Sequence, residues 1–172
     1  MLDTLAPIAM QAAATLTRRR ETIAVADGAT GGLILAGLLT VPGATRFCRG
    51  GGVIYSFKGR EVLLGLSKED LAGMESVTEP YALLQARAIR DRFDADWGIA
   101  ESGSAGPGRH PGGVPTGRSC IAVAGPDIAV VTTIESGSED RIHNMGAFAL
   151  AALRFLNSTL EAASSVQDSF SN

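Results

Sequence analysis

Residues 24–35 read AVADGATGGLIL. An apolar run, a glycine-rich turn and a second apolar run predict a strand that feeds a helix through a tight turn. In α/β proteins such a turn, at the carboxyl end of a strand, is where phosphates and reactive groups gather, because the open amides of the helix attract negative charge. The residue at the tip is Gly28, which has no side chain with which to react. Why a glycine stands there is the question on which the reading of the whole chain turns.

Outward from this stretch the pattern alternates. Leu2, Leu5, Ile8, Ala12 and Leu16 recur at helical spacing, so residues 4–20 predict an amphipathic helix capped near Asp3 or Thr4, with Arg18, Arg19 and Arg20 at its basic end. Residues 21–26 are a short strand, and the helix opening at Gly31 is stopped by Val41-Pro42-Gly43. A second strand is expected over 50–57, a short helix over 66–74, and a helix capped by Thr78 with Ala82, Ala86, Ile89 and Phe93 inward. Residues 95–102 predict a third strand, followed by a glycine- and proline-rich loop over 103–117. Two apolar runs around Gly125-Pro126 read as a hairpin, and a last helix from Asp140 to Leu160 turns Ile142, Met145, Ala149, Leu153 and Leu156 to one face. The expectation is an α/β fold, a three-layer αβα sandwich with a mixed β-sheet, in one domain over 1–162, followed by a polar, frayed tail over 163–172. If the first and third strands are neighbours, the loops at 27–32 and 102–117 converge on one crevice.

Composition narrows the function. Of 172 residues, 45% are apolar and 19% charged, and the net charge is −3. The pI near 5.4 gives no basic face for nucleic acid. No apolar run approaches the ~20 residues of a membrane span, and the amino terminus has its basic residues after the apolar part, unlike a secretory signal. A cytoplasmic protein follows, with Cys48 and Cys120 as small reduced thiols. Two histidines, His110 and His143, and no cysteine cluster support no metal site, and no cofactor is implied.

Four stretches together carry a family signature: ADGATGG (26–32), VPGATRFCRGGGVIYS (41–56), SVTEPYALLQARAIRDRFDADWGIA (76–100), and SGSAGPG (102–108) with a later PTG (115–117). In this order and spacing the chain resembles the C-terminal domain of the competence-damage-inducible CinA proteins, which also occurs alone as a nicotinamide mononucleotide amidohydrolase. The resemblance implies an αβα fold, self-association, and hydrolysis of the nucleotide's carboxamide with release of ammonia. It also exposes departures. The family's first motif reads Ala-Glu-Ser, a small residue, then Thr-Gly-Gly, and its serine is the nucleophile; here that position is Gly28, after Asp27. After the second strand the family has Tyr-Ser-Asn, two residues, then an assisting lysine; here Tyr55 and Ser56 remain, Phe57 replaces the asparagine and Arg60 stands for the lysine. Asp140-Arg141 matches a family pair, with Met145 where a second arginine is common.

Glycine cannot attack a carbonyl, and an arginine stays protonated at any working pH, so Gly28 and Arg60 cannot perform the family's chemistry. Loss of a hydrolase nucleophile costs on the order of 10⁶-fold in turnover. The expectation is a catalytically impaired member that keeps a nucleotide- or anion-binding crevice. Thr30, Gly31 and Gly32 supply helix amides, Gly103 and Gly106 the second loop, and Arg46, Arg49 and Arg141 the positive charge, with Arg60 a further candidate because its fork suits a phosphate. Two other readings stay open. One is an active amidase with another nucleophile: Ser102, Ser104, or water oriented by Asp27, whose place beside a helix amino terminus is expected to lower its pKa. The other is a ligand-free homo-oligomeric interaction protein. Lys58 shares a face with Arg60 if the strand continues, Tyr55 is a candidate donor to a ligand oxygen, and His110 and His143 read as solvated.

Overall fold

A computed structural model describes the backbone of residues 1–170 and the side chains of residues 1–164. Five strands form one sheet in the order β2-β1-β3-β4-β5, with β1 (Ile23–Asp27), β2 (Cys48–Val53), β3 (Trp97–Gly103), β4 (Arg118–Ala124) and β5 (Ala129–Glu135). β1 pairs parallel with both β2 and β3, whereas β3–β4 and β4–β5 are antiparallel, so the sheet is mixed. On one face α1 (Leu2–Arg19), α2 (Leu33–Leu39) and α5 (Arg141–Phe170) pack together; α4 (Glu79–Arg92) covers the other. The fold is therefore the expected α/β sandwich, helices on both sides of a mixed sheet.

Each face has its own core. Ile23, Val25, Ile99, Ile121 and Val123 point to α1, α2 and α5, where they meet Leu5, Leu16, Leu38, Leu153 and Leu156. Each such side chain contributes about 1.5–3 kcal/mol on burial. The alternate residues Ala24, Ala26, Ala100, Ala122 and Ala124 are small, and they let α4 approach through Ala82, Ala86 and Ile89. The approach is closest at Gly98, where an added Cβ would strike the Ala86 carbonyl oxygen.

Several boundaries differ from the sequence reading, each for a local reason. α1 starts two residues early, capped by the Met1 backbone, and Leu2 is exposed. β2 ends at Val53 because Ser56 accepts the Gly59 amide at 3.1 Å and starts a helical turn, α3 (Phe57–Gly59), which runs into a π-helix over Arg60–Leu64. Residues 66–74 form turns, not a helix: Ser67 and Asp70 exchange backbone and side-chain hydrogen bonds, and Gly73 then adopts φ 74°. Thr78 caps α4 by position only, its hydroxyl donating instead to the Glu75 carbonyl at 2.7 Å. Ile142 is 79% exposed and leaves the inward stripe of α5. That helix passes its expected end at Leu160, and the proposed frayed tail lies partly outside the described residues. Among the described residues no helix is long and apolar enough to cross a membrane.

Gly98→Ala is expected to destabilise the protein by about 1–3 kcal/mol, because α4 must lift off the sheet. Urea unfolding checks this, as a lower midpoint at unchanged slope.

Candidate functional site

β1 and β3 are neighbours, so the loops that leave them do converge. They open on a cleft of about 630 Å³, bounded by Gly28 and Ala29 after β1, Tyr55–Phe57 and Arg60 after β2, Tyr81 and Gln85 on α4, and Ser102–Gly106 at the end of β3 and beyond it. Arg141, at the start of α5, stands at the mouth, donating to the Gly106 carbonyl at 2.7 Å and lying 3.5 Å from the Tyr55 hydroxyl. Arg109 and His110 come from the long loop.

The Gly28 turn itself is filled from within. Asp27, 0% exposed, accepts the Thr30 hydroxyl at 2.7 Å and the amides of Ile34 and Leu35 at 3.0 and 3.2 Å. Glu101, also 0% exposed, accepts the Thr30 amide at 3.0 Å and the Ser119 hydroxyl at 2.6 Å. Its carboxyl lies in a slot between two glycines. A Cβ on Gly28 would strike the Glu101 carbonyl oxygen and come within 3.2 Å of Oε2, and a Cβ on Gly103 would strike Oε1. Gly28 is thus the residue that lets β3 and its acid close against the turn. Glu101 escaped the sequence reading: the sequence shows only an acid ending an apolar strand, and it is the pairing of β3 with β1, one register step beyond Ala26–Ala100, that sets it beside Asp27.

The expected open amides are consequently engaged. Those of Thr30, Ile34 and Leu35 go to the two carboxyls, that of Gly31 to the Gly28 carbonyl and that of Leu33 to the Thr30 carbonyl. Gly31 faces Met145 and Gly32 faces Val53, away from the cleft lining, and Thr30 is buried beneath it. Burial pushes the Asp27 carboxyl above its usual range, against the lowering effect of the Thr30 hydroxyl and the α2 amides. This reverses the expectation of a lowered value, because removal from water outweighs the helix end.

The positive groups divide. Arg46, on the exposed turn Ala44–Arg46, and Arg49, near the start of β2, lie at the opposite end of the parallel strands from the cleft. Arg60 lies in the cleft wall, its guanidinium 4.4 Å from the Phe57 ring centre and 4.9 Å from that of Tyr81. Its Nε is buried without a partner. Burial pushes the Tyr81 phenol up to about 12, against the charge of Arg60, so it stays protonated at working pH. Lys58 points away: it is 74% exposed and paired with Glu61 at 2.9 Å, since the expected strand has become a helical turn.

The alternative nucleophiles are occupied or unassisted. Ser102 Oγ accepts the Val77 amide at 3.0 Å, and no hydrogen bond joins Ser102 or Ser104 to a base among the described residues. Ser76 and His110 do meet at 3.2 Å in the cleft, which the sequence did not suggest. The Gly112 amide donates to His110 Nδ1 at 3.1 Å, so a neutral ring carries its proton on Nε2, directed at Ser76. His110 then gives a hydrogen bond to Ser76 and cannot withdraw its proton. His143 is exposed on α5. Among the described residues no three His, Cys, Asp or Glu side chains gather as metal ligands.

Gly28→Ala and Gly28→Ser are each expected to lower stability by about 1–3 kcal/mol, because either Cβ pushes β3 off the turn. Gly108→Ala, with open space around it, is the silent comparison. Thermal unfolding distinguishes them.

The relatives agree with this architecture. Residues 5–160 match the CinA C-terminal domain family. The chain is 36% identical over 132 residues to a CinA-like protein of Gloeobacter violaceus, covering 77% of this chain and 31% of that one. It is 40% identical over 123 residues to one of Synechococcus sp. CC9902, covering 72% and 29%. The chain thus spans about a third of the length of the curated relatives it matches. Among solved structures it is similar to a CinA superfamily protein from Enterobacter cloacae, with TM-score 0.84 and 28% identity over 91% of this chain and 92% of that one. A competence or damage-inducible protein from Enterobacter asburiae gives TM-score 0.84 and 26% identity over 91% and 98%. The chain belongs to the CinA C-terminal domain family.

Proposed function

We propose that this domain binds a nucleotide or another phosphate-bearing small molecule in the cleft and does not hydrolyse it. The observation that carries the reading is Arg60, whose guanidinium lies over both the Phe57 and Tyr81 rings at the position where the resemblance puts the assisting lysine. A guanidinium fixed by two rings is a good partner for phosphate or carboxylate, and a poor base. Arg109 and Arg141 add charge on the same cleft, and the exposed rings of Phe57 and Tyr55 offer faces for a heteroaromatic group. The Gly28 position holds the Glu101 carboxyl against it, leaving no place for a serine hydroxyl without moving β3. The anionic end of the ligand is therefore assigned to the arginine side, not to the α2 turn.

Association of like chains, which the resemblance implies, has a surface to use. Val53, Phe57, Val62 and Leu63 are exposed beside the edge strand β2. Sedimentation of the purified protein measures it.

The function is tested with nicotinamide mononucleotide as the probe. Calorimetric titration is expected to give saturable binding, weakened about ten- to a hundredfold by Arg60→Met, the range for a lost charged hydrogen bond. An ammonia assay on the same sample is expected to stay at the blank. Ammonia release by the unmodified protein would overturn the non-hydrolytic reading; binding indifferent to Arg60→Met would overturn the assignment of the anion.

A further inference from the structure

Thr30 sits between two buried acids. Its Oγ1 is 2.7 Å from Asp27 Oδ1 and 3.2 Å from Glu101 Oε2. A hydroxyl has one proton and here faces two carboxyl oxygens. It can donate fully to only one of them, so the other contact becomes favourable when a carboxyl supplies a proton of its own. The donors are unequally shared: Asp27 also takes the Ile34 and Leu35 amides, whereas Glu101 has the Thr30 amide and the Ser119 hydroxyl.

Among the described residues no cation answers this pair. Arg60 of the π-helix stacks on Phe57 and Tyr81, and Arg141 of α5 bonds the Gly106 carbonyl. Arg118 of β4 acts on Cys120. α2 has no charged residue, and β1 and β3 contribute only Asp27 and Glu101 themselves. Two carboxylates this close, both out of water and without a cation, do not both ionise.

We infer that Asp27 and Glu101 hold one proton between them at neutral pH, with Glu101 as the acid, and that this proton fastens the Gly28 turn to β3 and so positions the floor of the cleft. Burial pushes both carboxyls up, and the neighbouring Asp27 charge pushes Glu101 further, in keeping with the geometry. Glu101 is a positioning residue: it acts on the cleft through Thr30 and the turn. Loss of the proton would put two anions on one hydroxyl and part the turn from the sheet. The inference is independent of which ligand the cleft takes.

The sign of the pH effect follows. Above the ordinary carboxylate range the unfolded chain has released the Glu101 proton while the folded protein keeps it. Folding then binds one proton, and stability falls as pH rises through neutral. Glu101→Gln keeps the shape and removes the titration. From about pH 6 to neutral pH, the folding equilibrium constant of the unmodified protein, measured by urea unfolding, is expected to fall about tenfold per pH unit relative to that variant. Parallel profiles would overturn the shared proton. If Glu101→Gln does not fold, the carbon-13 shift of the Glu101 carboxyl in the unmodified protein decides alone. A protonated value at neutral pH is expected, and an ionised value there refutes the proposal.

Discussion

The contact between the Glu101 carboxyl and Thr30 is the constraint on which the cleft depends. It ties β3 to the turn after β1, and those two strand ends form the floor on which every other wall is set. A buried carboxyl without donors is strongly unfavourable. The chain supplies them from Thr30 and Ser119, and clears room with glycine at 28 and 103. The glycine at the position where the resemblance puts a nucleophile is therefore part of a packing solution. Gly28 admits an acid that the side chain of a serine at this position would displace.

That solution changes what the cleft can recognise. With the amides of Thr30, Ile34 and Leu35 bound to the chain's own carboxyls, the proposed reading has negative charge on a ligand met elsewhere. Arg60, Arg109 and Arg141 lie on the other walls, in a cleft that also presents aromatic faces. Arg60 belongs to a helical turn that the sequence does not announce, capped by Ser56 and continued as a π-helix, the kind of irregular turn often found at functional sites.

Much of the fold was legible in the residues. The strand–turn–helix at 24–35, the hairpin around Gly125 and the αβα layering follow from apolar periodicity and glycine punctuation, which are local signals. The family was legible because four ordinary motifs stand in a specific order. The site was legible only in part. The departures at 28 and 60 are visible as identities, and Tyr55, Gly103, Gly106 and Arg141 do line the cleft. Arg46 and Arg49 look equivalent to them in sequence, but the β1–β2 register carries them to the far end of the sheet. Glu101 could not be weighed without knowing that β3 lies beside β1, since an acid in an apolar strand gains its meaning from its neighbour.

The most direct measurement is a crystal structure of the protein grown at neutral pH with nicotinamide mononucleotide. The carboxamide is expected intact, the phosphate against Arg60 and Arg141, and Glu101 still on Thr30. A phosphate seated on the amides of Thr30 to Leu35 with Glu101 displaced, or a ligand that has lost its amide nitrogen, would contradict a cleft whose floor is closed by the chain's own acid.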